Sequence, residues 1–168
     1  IGTFMLSTDA YATAVKKLGD LAWKCKTQLN NPVQYIDLGG GFPSSNTLRG
    51  SFLPGTDSVP SVDEFAEAIT SGLLQLGFGA DELPLLILES GRVLVDDAGY
   101  LLSTVIANKR LSDGRRAIIL DGGVNLLFTS FWYDHTITPA QDFTHHSEDQ
   151  ALYGPLCMNI DVVRQSVN

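Results

Sequence analysis

Basic residues are scarce in this 168-residue chain, which has 11 lysines and arginines against 19 aspartates and glutamates. The resulting net charge of −8 argues against a nucleic acid as partner, because a phosphate backbone is bound by clustered cations. Long apolar runs are also missing, so the sequence predicts neither a membrane span nor a signal peptide. This composition fits a small-molecule ligand better.

Cysteines are few as well, since only Cys25 and Cys157 are present and they lack C-x-x-C or metal-like spacing. Two cysteines cannot form a disulfide framework, and we therefore expect a reducing, cytoplasmic setting. Nucleotide motifs are missing too, because neither G-x-G-x-x-G nor a Walker A loop occurs. With 44% hydrophobic and 18% charged residues, the chain is typical of a globular protein.

The first half of the chain alternates predicted helices and strands. Apolar residues recur at three- and four-residue steps after Ser7-Thr8-Asp9, and a second helix begins at the capping box that Ser61 opens. Strands are predicted at 33–38 and 85–88, the second of them covered on both faces, and a polar loop is predicted at 44–60. Both strands end in polar or glycine-rich segments. In parallel α/β folds that edge carries the ligand site.

Beyond residue 92 the pattern changes to short strands. Residues 100–109 alternate, residues 117–120 are apolar, and Asp113-Gly114 between them predicts a hairpin turn. A further aromatic-rich strand is predicted at 126–133. We therefore expect an antiparallel β domain from about residue 93 onward.

Two strand ends carry residues that suit an anionic ligand. The triplet Gly39-Gly40-Gly41 is either a tight turn or a bare backbone surface that an anion can approach. In Glu89-Ser90-Gly91-Arg92, the guanidinium suits a phosphate and the carboxylate suits a protonated ring nitrogen or a hydroxyl, although a surface ion pair is the alternative.

Later segments contain weaker candidates. Cys157 lies in a loop entered through Gly154-Pro155 and is either a proton donor or nucleophile, or an inert thiol. Asp134 follows a predicted strand and is either an ammonium-binding carboxylate or a solvated strand end. A polar loop contains His145, His146, Glu148 and Asp149; we expect no metal there.

Four segments occur in one order: Asp37-Leu38-Gly39-Gly40-Gly41-Phe42-Pro43, Glu89-Ser90-Gly91-Arg92, Tyr133-Asp134-His135, and Gly154-Pro155-Leu156-Cys157 with Asp161. This order resembles the fold-type III pyridoxal-phosphate decarboxylases, the ornithine, diaminopimelate and arginine decarboxylase family. The resemblance covers nearly the whole chain. It implies an α/β plus β protein of amino-acid or polyamine metabolism, in which a (β/α)8 TIM-type barrel holding pyridoxal 5'-phosphate is followed by an antiparallel β-sandwich or barrel domain. Residues 1–92 would be late barrel elements, and residues 93–168 an incomplete β domain.

The resemblance also implies how the cofactor is held. Its phosphate would be bound by the Thr3 hydroxyl, the backbone N–H groups of Gly40 and Gly41, and Arg92, with Ser90-Gly91 in the same loop. Glu89 would pair with the pyridine nitrogen, because a protonated ring withdraws electrons and stabilises a carbanion.

Further roles concern the substrate. The resemblance implies that an amino acid, either a diamino acid or a related amine-bearing biosynthetic intermediate, is decarboxylated in a homodimer with active sites at the interface. Cys157 would reprotonate the carbanion left when CO2 departs, and it would be supplied across that interface. Tyr133, Asp134 and Met158 would contact the substrate, with Asp134 receiving its distal amine.

Three departures from the family pattern are visible. Ser90 replaces a usual proline, which loosens the turn, and Met158 replaces a frequent Asp or Glu. Because methionine cannot bind an ammonium, Met158 favours an amine-bearing biosynthetic intermediate over ornithine or diaminopimelate. None of the five lysines matches the Schiff-base motif, which would precede Ile1. We therefore expect a piece of a longer enzyme, inactive alone.

Two alternatives remain open. One is a catalytically inactive decarboxylase homologue that acts as a binding or regulatory partner. The other is a fold-type III racemase, which does not account for the Gly-Pro-Leu-Cys loop.

Overall fold

The computed structural model of the protein describes residues 1–53, 55–142, 144 and 147–167. The chain divides into two compact units. The first is made of residues 1–45 and 55–98, and the second of residues 46–54 and 99–168. The assignment of 1–92 and 93–168 as native domains stays a prediction.

The first unit contains two long helices, two short helices and two strands. In chain order they are α1 (Asp9–Leu29), β1 (Tyr35–Asp37), α2 (Gly55–Ser58), α3 (Val62–Gln75), β2 (Leu85–Ile87) and α4 (Arg92–Val95), with a 3-10 turn at Ala80–Glu82. The predicted loop at 44–60 therefore includes one helical turn, α2. The other helices and strands of this unit, apart from α4, follow the predicted alternation.

Both long helices begin where polar residues precede the apolar stripe, and at each start a serine hydroxyl accepts a hydrogen bond from an N–H of the first turn. Ser61 and Glu64 form a complete capping box at the start of α3, as predicted. At α1 the Thr8 side chain makes no cap hydrogen bond, and the Ser7 hydroxyl accepts from the Asp9 N–H at 3.1 Å instead. Asn30, in the left-handed region at φ +50°, ends α1, and the N–H of the next residue, Asn31, donates to the Cys25 carbonyl.

The two strands of this unit pair in parallel, and Tyr35 lies opposite Leu85 and Ile36 opposite Leu86. The prediction that the second strand is covered on both faces is wrong for this chain. Tyr35 and Leu85 are 62% and 66% exposed, whereas Ile36 is buried. Because side chains alternate along a strand, one face of the pair lies on the core and the other faces solvent.

Buried aromatic and aliphatic side chains fill the space between the helices and the covered face of the strands. Tyr11 stacks on Phe42 and meets the edge of Phe65, with ring centroids 4.6 and 5.2 Å apart. Aromatic pairs of this geometry stabilise by more than their buried area alone. This cluster lies beneath the glycine triplet that follows β1.

The second unit is built on a four-stranded sheet in the order β3-β4-β5-β6. Its strands are β3 (Val105–Arg110), β4 (Arg116–Leu120), β5 (Gln150–Tyr153) and β6 (Val162–Val167). The predicted hairpin between β3 and β4 is present, with Gly114 at φ +88° in its turn. The prediction of an antiparallel sheet is wrong at its centre, because β4 and β5 pair in parallel.

The prediction of a strand at 126–133 is also wrong. A 3-10 helix spans Phe128–Phe131. Among the described residues, the only strand-like pairing near this segment is an isolated bridge between Leu48 and Tyr133. The N–H groups of Leu126 and Leu127 both donate to the Gly123 carbonyl, which turns the chain at the start of this segment. Within the described part of the chain, no helix is long and apolar enough to cross a bilayer.

Candidate functional site

The glycine triplet lies directly after β1, at the carboxyl end of the parallel pair. Gly39 and Gly41 have φ angles of +68° and +96°, which residues with a Cβ rarely adopt. A Cβ on Gly40 would collide with the Glu89 carbonyl oxygen, and one on Gly41 would collide with that of Gly2. Glycine is therefore required here by backbone conformation and by close packing.

All three carbonyl oxygens of the triplet accept hydrogen bonds. In chain order, they accept from the N–H of Glu89 at 2.9 Å, the hydroxyl of Tyr11 at 2.8 Å and the N–H of Met5 at 3.0 Å. Within the described residues, no group accepts a hydrogen bond from the N–H of Gly40 or of Gly41. The triplet thus offers two available donors at the strand end.

Arg92, at the start of α4, supplies a cation at this strand end. Its Nη2 donates to the Thr3 hydroxyl at 2.7 Å, and its guanidinium carbon lies 5.5 Å from the centroid of the Phe4 ring. Thr3 is exposed and Arg92 is half-buried. A guanidinium already held by a hydroxyl and a ring loses little rotamer freedom on binding an anion.

Three chain segments thus meet at one edge of the first unit: residues 2–4, the glycine triplet and residues 89–92. The contacts that join them are Gly41 with Gly2, Gly40 with Glu89, and Thr3 with Arg92. The side chain of Glu89 is exposed at this edge, and Ser90-Gly91 connects it to Arg92. Two N–H donors, a hydroxyl and a guanidinium form a donor set that fits a phosphate monoester.

Sequence reasoning missed several residues that support this edge. Tyr11 and Phe4 are two of them, and the third is the hydrogen-bonded pair of Ser44 and Asp96, which ties the chain after the triplet to the end of α4. A tyrosine on the apolar stripe of a helix was the available signal for Tyr11, because a buried hydroxyl needs an acceptor. No local signal connects Ser44 to a residue 52 positions away.

Cys157, in the second unit, is exposed in the loop between β5 and β6. The loop is organised by Asp161, whose side chain is only 1% exposed. Its carboxylate accepts from the N–H groups of Val124 at 2.8 Å and Leu156 at 2.7 Å, and its own N–H donates to the Met158 carbonyl at 3.1 Å. Both chain neighbours of Cys157 are therefore held by Asp161.

Asp134 lies beside two arginines of the same unit. Its Oδ1 is 3.8 Å from Nε of Arg49 and 3.7 Å from Nη1 of Arg164. Arg49 also donates to the Val162 carbonyl at 2.8 Å, and Arg164 donates to the His135 carbonyl at 3.1 Å. Two guanidinium groups thus lie near one carboxylate, so one positive charge is not balanced within this group of three side chains.

The other predicted substrate contacts differ in exposure. Tyr133 is 3% exposed, whereas Met158 is 53% exposed. No group of three or more His, Cys, Asp or Glu side chains that could hold a metal ion occurs in the described part of the chain. His145 and His146 lie outside the described residues.

Comparison with known proteins gives a consistent result. The family model described as "Pyridoxal-dependent decarboxylase, C-terminal sheet domain" matches residues 12–168. Diaminopimelate decarboxylase of Methanothermobacter thermautotrophicus is 29% identical over 169 residues, covering 96% of this chain and 37% of the relative. Antizyme inhibitor 2 of Mus musculus is 27% identical over 188 residues, covering 99% and 38%.

A solved structure supports the same fold. The crystal structure of diaminopimelate decarboxylase from M. jannaschii matches with a TM-score of 0.74 at 23% identity, covering 99% of this chain and 36% of that one. The chain spans a little over a third of the length of the curated relatives described above. The family predicted from the four motifs is thereby confirmed: the chain belongs to the pyridoxal-dependent decarboxylase family, of which it includes the C-terminal sheet domain.

Proposed function

We propose that the protein carrying this chain is a decarboxylase of amino acids that uses pyridoxal 5'-phosphate. The observation that carries the proposal is the pair of available N–H donors on Gly40 and Gly41, at the edge of the first unit where the Arg92 guanidinium donates to Thr3. Such a donor set fits the phosphate of this cofactor, and the family description names a pyridoxal-dependent reaction.

We infer that the first unit is part of a (β/α)8 barrel. The parallel pairing of β1 with β2, joined through α3, is the repeating β-α-β element of such a barrel. The solvent-facing side of this pair, which exposes Tyr35 and Leu85, is the side that further parts of a barrel would cover. Barrel enzymes carry their sites at the carboxyl ends of the strands, where the glycine triplet lies.

Each of the candidate site residues in the first unit then has a defined task. Gly40, Gly41, Thr3 and Arg92 bind the phosphate and so fix the position of the cofactor. When bound, the cofactor supplies an electron-withdrawing ring that stabilises negative charge at the α-carbon of the substrate. Glu89 keeps a proton on the ring nitrogen, because a carboxylate beside that nitrogen favours its protonated form.

Cys157 delivers the proton that replaces CO2 at the α-carbon. Its thiol is exposed at the tip of a loop whose backbone is held on both sides by Asp161, so the sulfur can be presented in a fixed position. We propose that it acts in a homodimer, with the loop of one protomer serving the active site of its partner.

The surroundings of Asp134 bear on the substrate. Two guanidinium groups beside one carboxylate favour an end group that carries both a carboxylate and an amine over a lone ammonium. Diaminopimelate has such an end, and it is named in the relative from M. thermautotrophicus. We therefore place the distal end of an amino acid of this kind near Asp134, Tyr133 and Met158, which revises the expectation from Met158 alone.

The test is CO2 release by the full-length protein from a panel of diaminopimelate, ornithine, lysine and arginine, with borohydride trapping of the cofactor. We expect release to be fastest with diaminopimelate. Cys157→Ala should lower product formation by about 10²- to 10⁴-fold, the usual contribution of a positioned acid, and Cys25→Ala should leave it unchanged. A full-length protein that holds no cofactor and releases no CO2 would refute the proposal.

A second function is favoured by one finding, the similarity to antizyme inhibitor 2. In that case the protein would be an inactive homologue that binds a partner. Reading the coding sequence upstream of Ile1 for a Schiff-base lysine on a predicted strand separates the two functions, since the decarboxylase requires it.

A further inference from the structure

Tyr11, in the first turn of α1, is fully buried between two other aromatic rings. Its ring stacks on Phe42 and meets the edge of Phe65, while its hydroxyl donates to the Gly40 carbonyl at 2.8 Å. Burial raises the pKa of the Tyr11 phenol, so the hydroxyl stays protonated and able to donate at neutral pH. This hydrogen bond therefore joins a side chain of the core directly to the glycine triplet.

The position of this bond matters because of peptide geometry. The peptide linking Gly40 to Gly41 is trans, and in a planar trans peptide the carbonyl and the following N–H point in opposite directions. Tyr11 holds the Gly40 carbonyl toward the core. The N–H of Gly41 must therefore point away from the core, and no described group accepts a hydrogen bond from it.

A comparable constraint acts one residue earlier, but through the backbone. The Gly39 carbonyl accepts from the N–H of Glu89, which orients the N–H of Gly40. Glycine has the widest backbone freedom of any residue, so a Gly-Gly peptide needs an outside partner to keep one orientation. For the second peptide plane that partner is the Tyr11 hydroxyl.

We propose that Tyr11 is a positioning residue for phosphate binding, because its hydroxyl fixes the Gly40–Gly41 peptide plane and so directs the N–H of Gly41 at the phosphate. The proposal rests on the proposed cofactor site. It adds that part of the affinity for a phosphate monoester comes from a side chain that does not touch the ligand.

The test is Tyr11→Phe in the cofactor-free full-length protein, since phenylalanine keeps the ring contacts and removes only the hydroxyl. Dissociation constants are measured for pyridoxal 5'-phosphate and for pyridoxal, which lacks the phosphate. We expect the variant to bind pyridoxal 5'-phosphate about five- to tenfold more weakly, the equivalent of one hydrogen bond, and to bind pyridoxal as the parent protein does. Tyr100→Phe, at a fully exposed position in the second unit, is the matched control and should change neither constant.

The outcomes separate the two proposals. If the parent protein does not prefer pyridoxal 5'-phosphate to pyridoxal, the proposed cofactor site fails. If the parent shows that preference and Tyr11→Phe retains it in full, the site stands and the role of Tyr11 is overturned. A general loss of packing would weaken both ligands equally, and that result would also count against a positioning role.

A measurement on the parent protein keeps the proposal testable if Tyr11→Phe does not fold. With ¹⁵N-glycine labelling, pyridoxal 5'-phosphate should shift the amide proton of Gly41 downfield and slow its exchange with solvent, and pyridoxal should do neither. An amide of Gly41 that does not respond to the phosphate would overturn the proposal.

Discussion

Asp161→Asn should destabilise the loop that presents Cys157. The two carboxylate oxygens accept from different backbone donors, Oδ1 from Val124 and Oδ2 from Leu156. Asparagine keeps one oxygen and places an NH2 group against the second N–H, so one charge-assisted hydrogen bond is lost and one N–H is left without an acceptor. Such a bond contributes about 1.5–3 kcal/mol, and an unpaired buried donor costs about 1–3 kcal/mol. Because these two effects partly describe the same loss, we expect the free energy of unfolding to fall by about 2–4 kcal/mol.

Two measurements check this expectation in the full-length protein. Urea denaturation gives the change in free energy of unfolding, and hydrogen exchange read by mass spectrometry shows whether residues 154–161 open more often. Asp142→Asn is the matched control, because Asp142 is exposed in the same unit. If Asp161→Asn is no less stable than the control and exchange at 154–161 is unchanged, then the carboxylate does not anchor the loop.

Two further predictions concern the first unit. Gly41→Ala would place a Cβ at a φ of +96° and against the Gly2 carbonyl, so it should lower the free energy of unfolding by about 1–3 kcal/mol, measured by urea denaturation. Gly99→Ala is the control, because open space surrounds Gly99, and it should lower that free energy far less. Equal losses in the two variants would contradict the packing argument. Hydrogen bonds from the backbone and side chain of Ser61 lower the pKa of Glu64 from 4.5, so Glu64 stabilises the fold above that pH, and its contribution is lost as the pH falls through the lower folded value. The difference in melting temperature between the parent protein and Glu64→Gln should thus be largest at neutral pH and should disappear below pH 4.5. Glu67→Gln, on the same helix, is the control. A difference that does not change with pH would refute this linkage.

Elements with strong local signals could be predicted from the sequence. The capping box at Ser61 and Glu64 is a contact between residues three apart, and the turn at Gly114 needs a positive φ that glycine supplies. The apolar stripe of α1 is likewise local, because its period follows from helix geometry. In each case the residues that determine the structure are neighbours in the chain.

The failed predictions depend on distant partners. Residues 126–133 are rich in aromatic and apolar side chains, which favours a strand, yet the chain turns there into a 3-10 helix. Just before that segment, the N–H of Val124 donates to Asp161, 37 residues away. The parallel pairing of β4 with β5 joins segments about thirty residues apart, and no pattern within either strand specifies its direction.

The candidate phosphate site combines both kinds of information. Three glycines after a strand are visible in the sequence, and they identify a place where an anion can approach the backbone. Whether the N–H groups of the triplet are available depends on which donors bind its carbonyl oxygens. Two of these donors, Tyr11 and Met5, precede the triplet in the sequence, and the third, Glu89, follows it. A glycine triplet with the same letters but without these three donors could turn its carbonyls toward the ligand and would then repel a phosphate. In the proposed site, anion binding would therefore depend on the surrounding donors as much as on the glycines, and a buried tyrosine would contribute to it without touching the ligand.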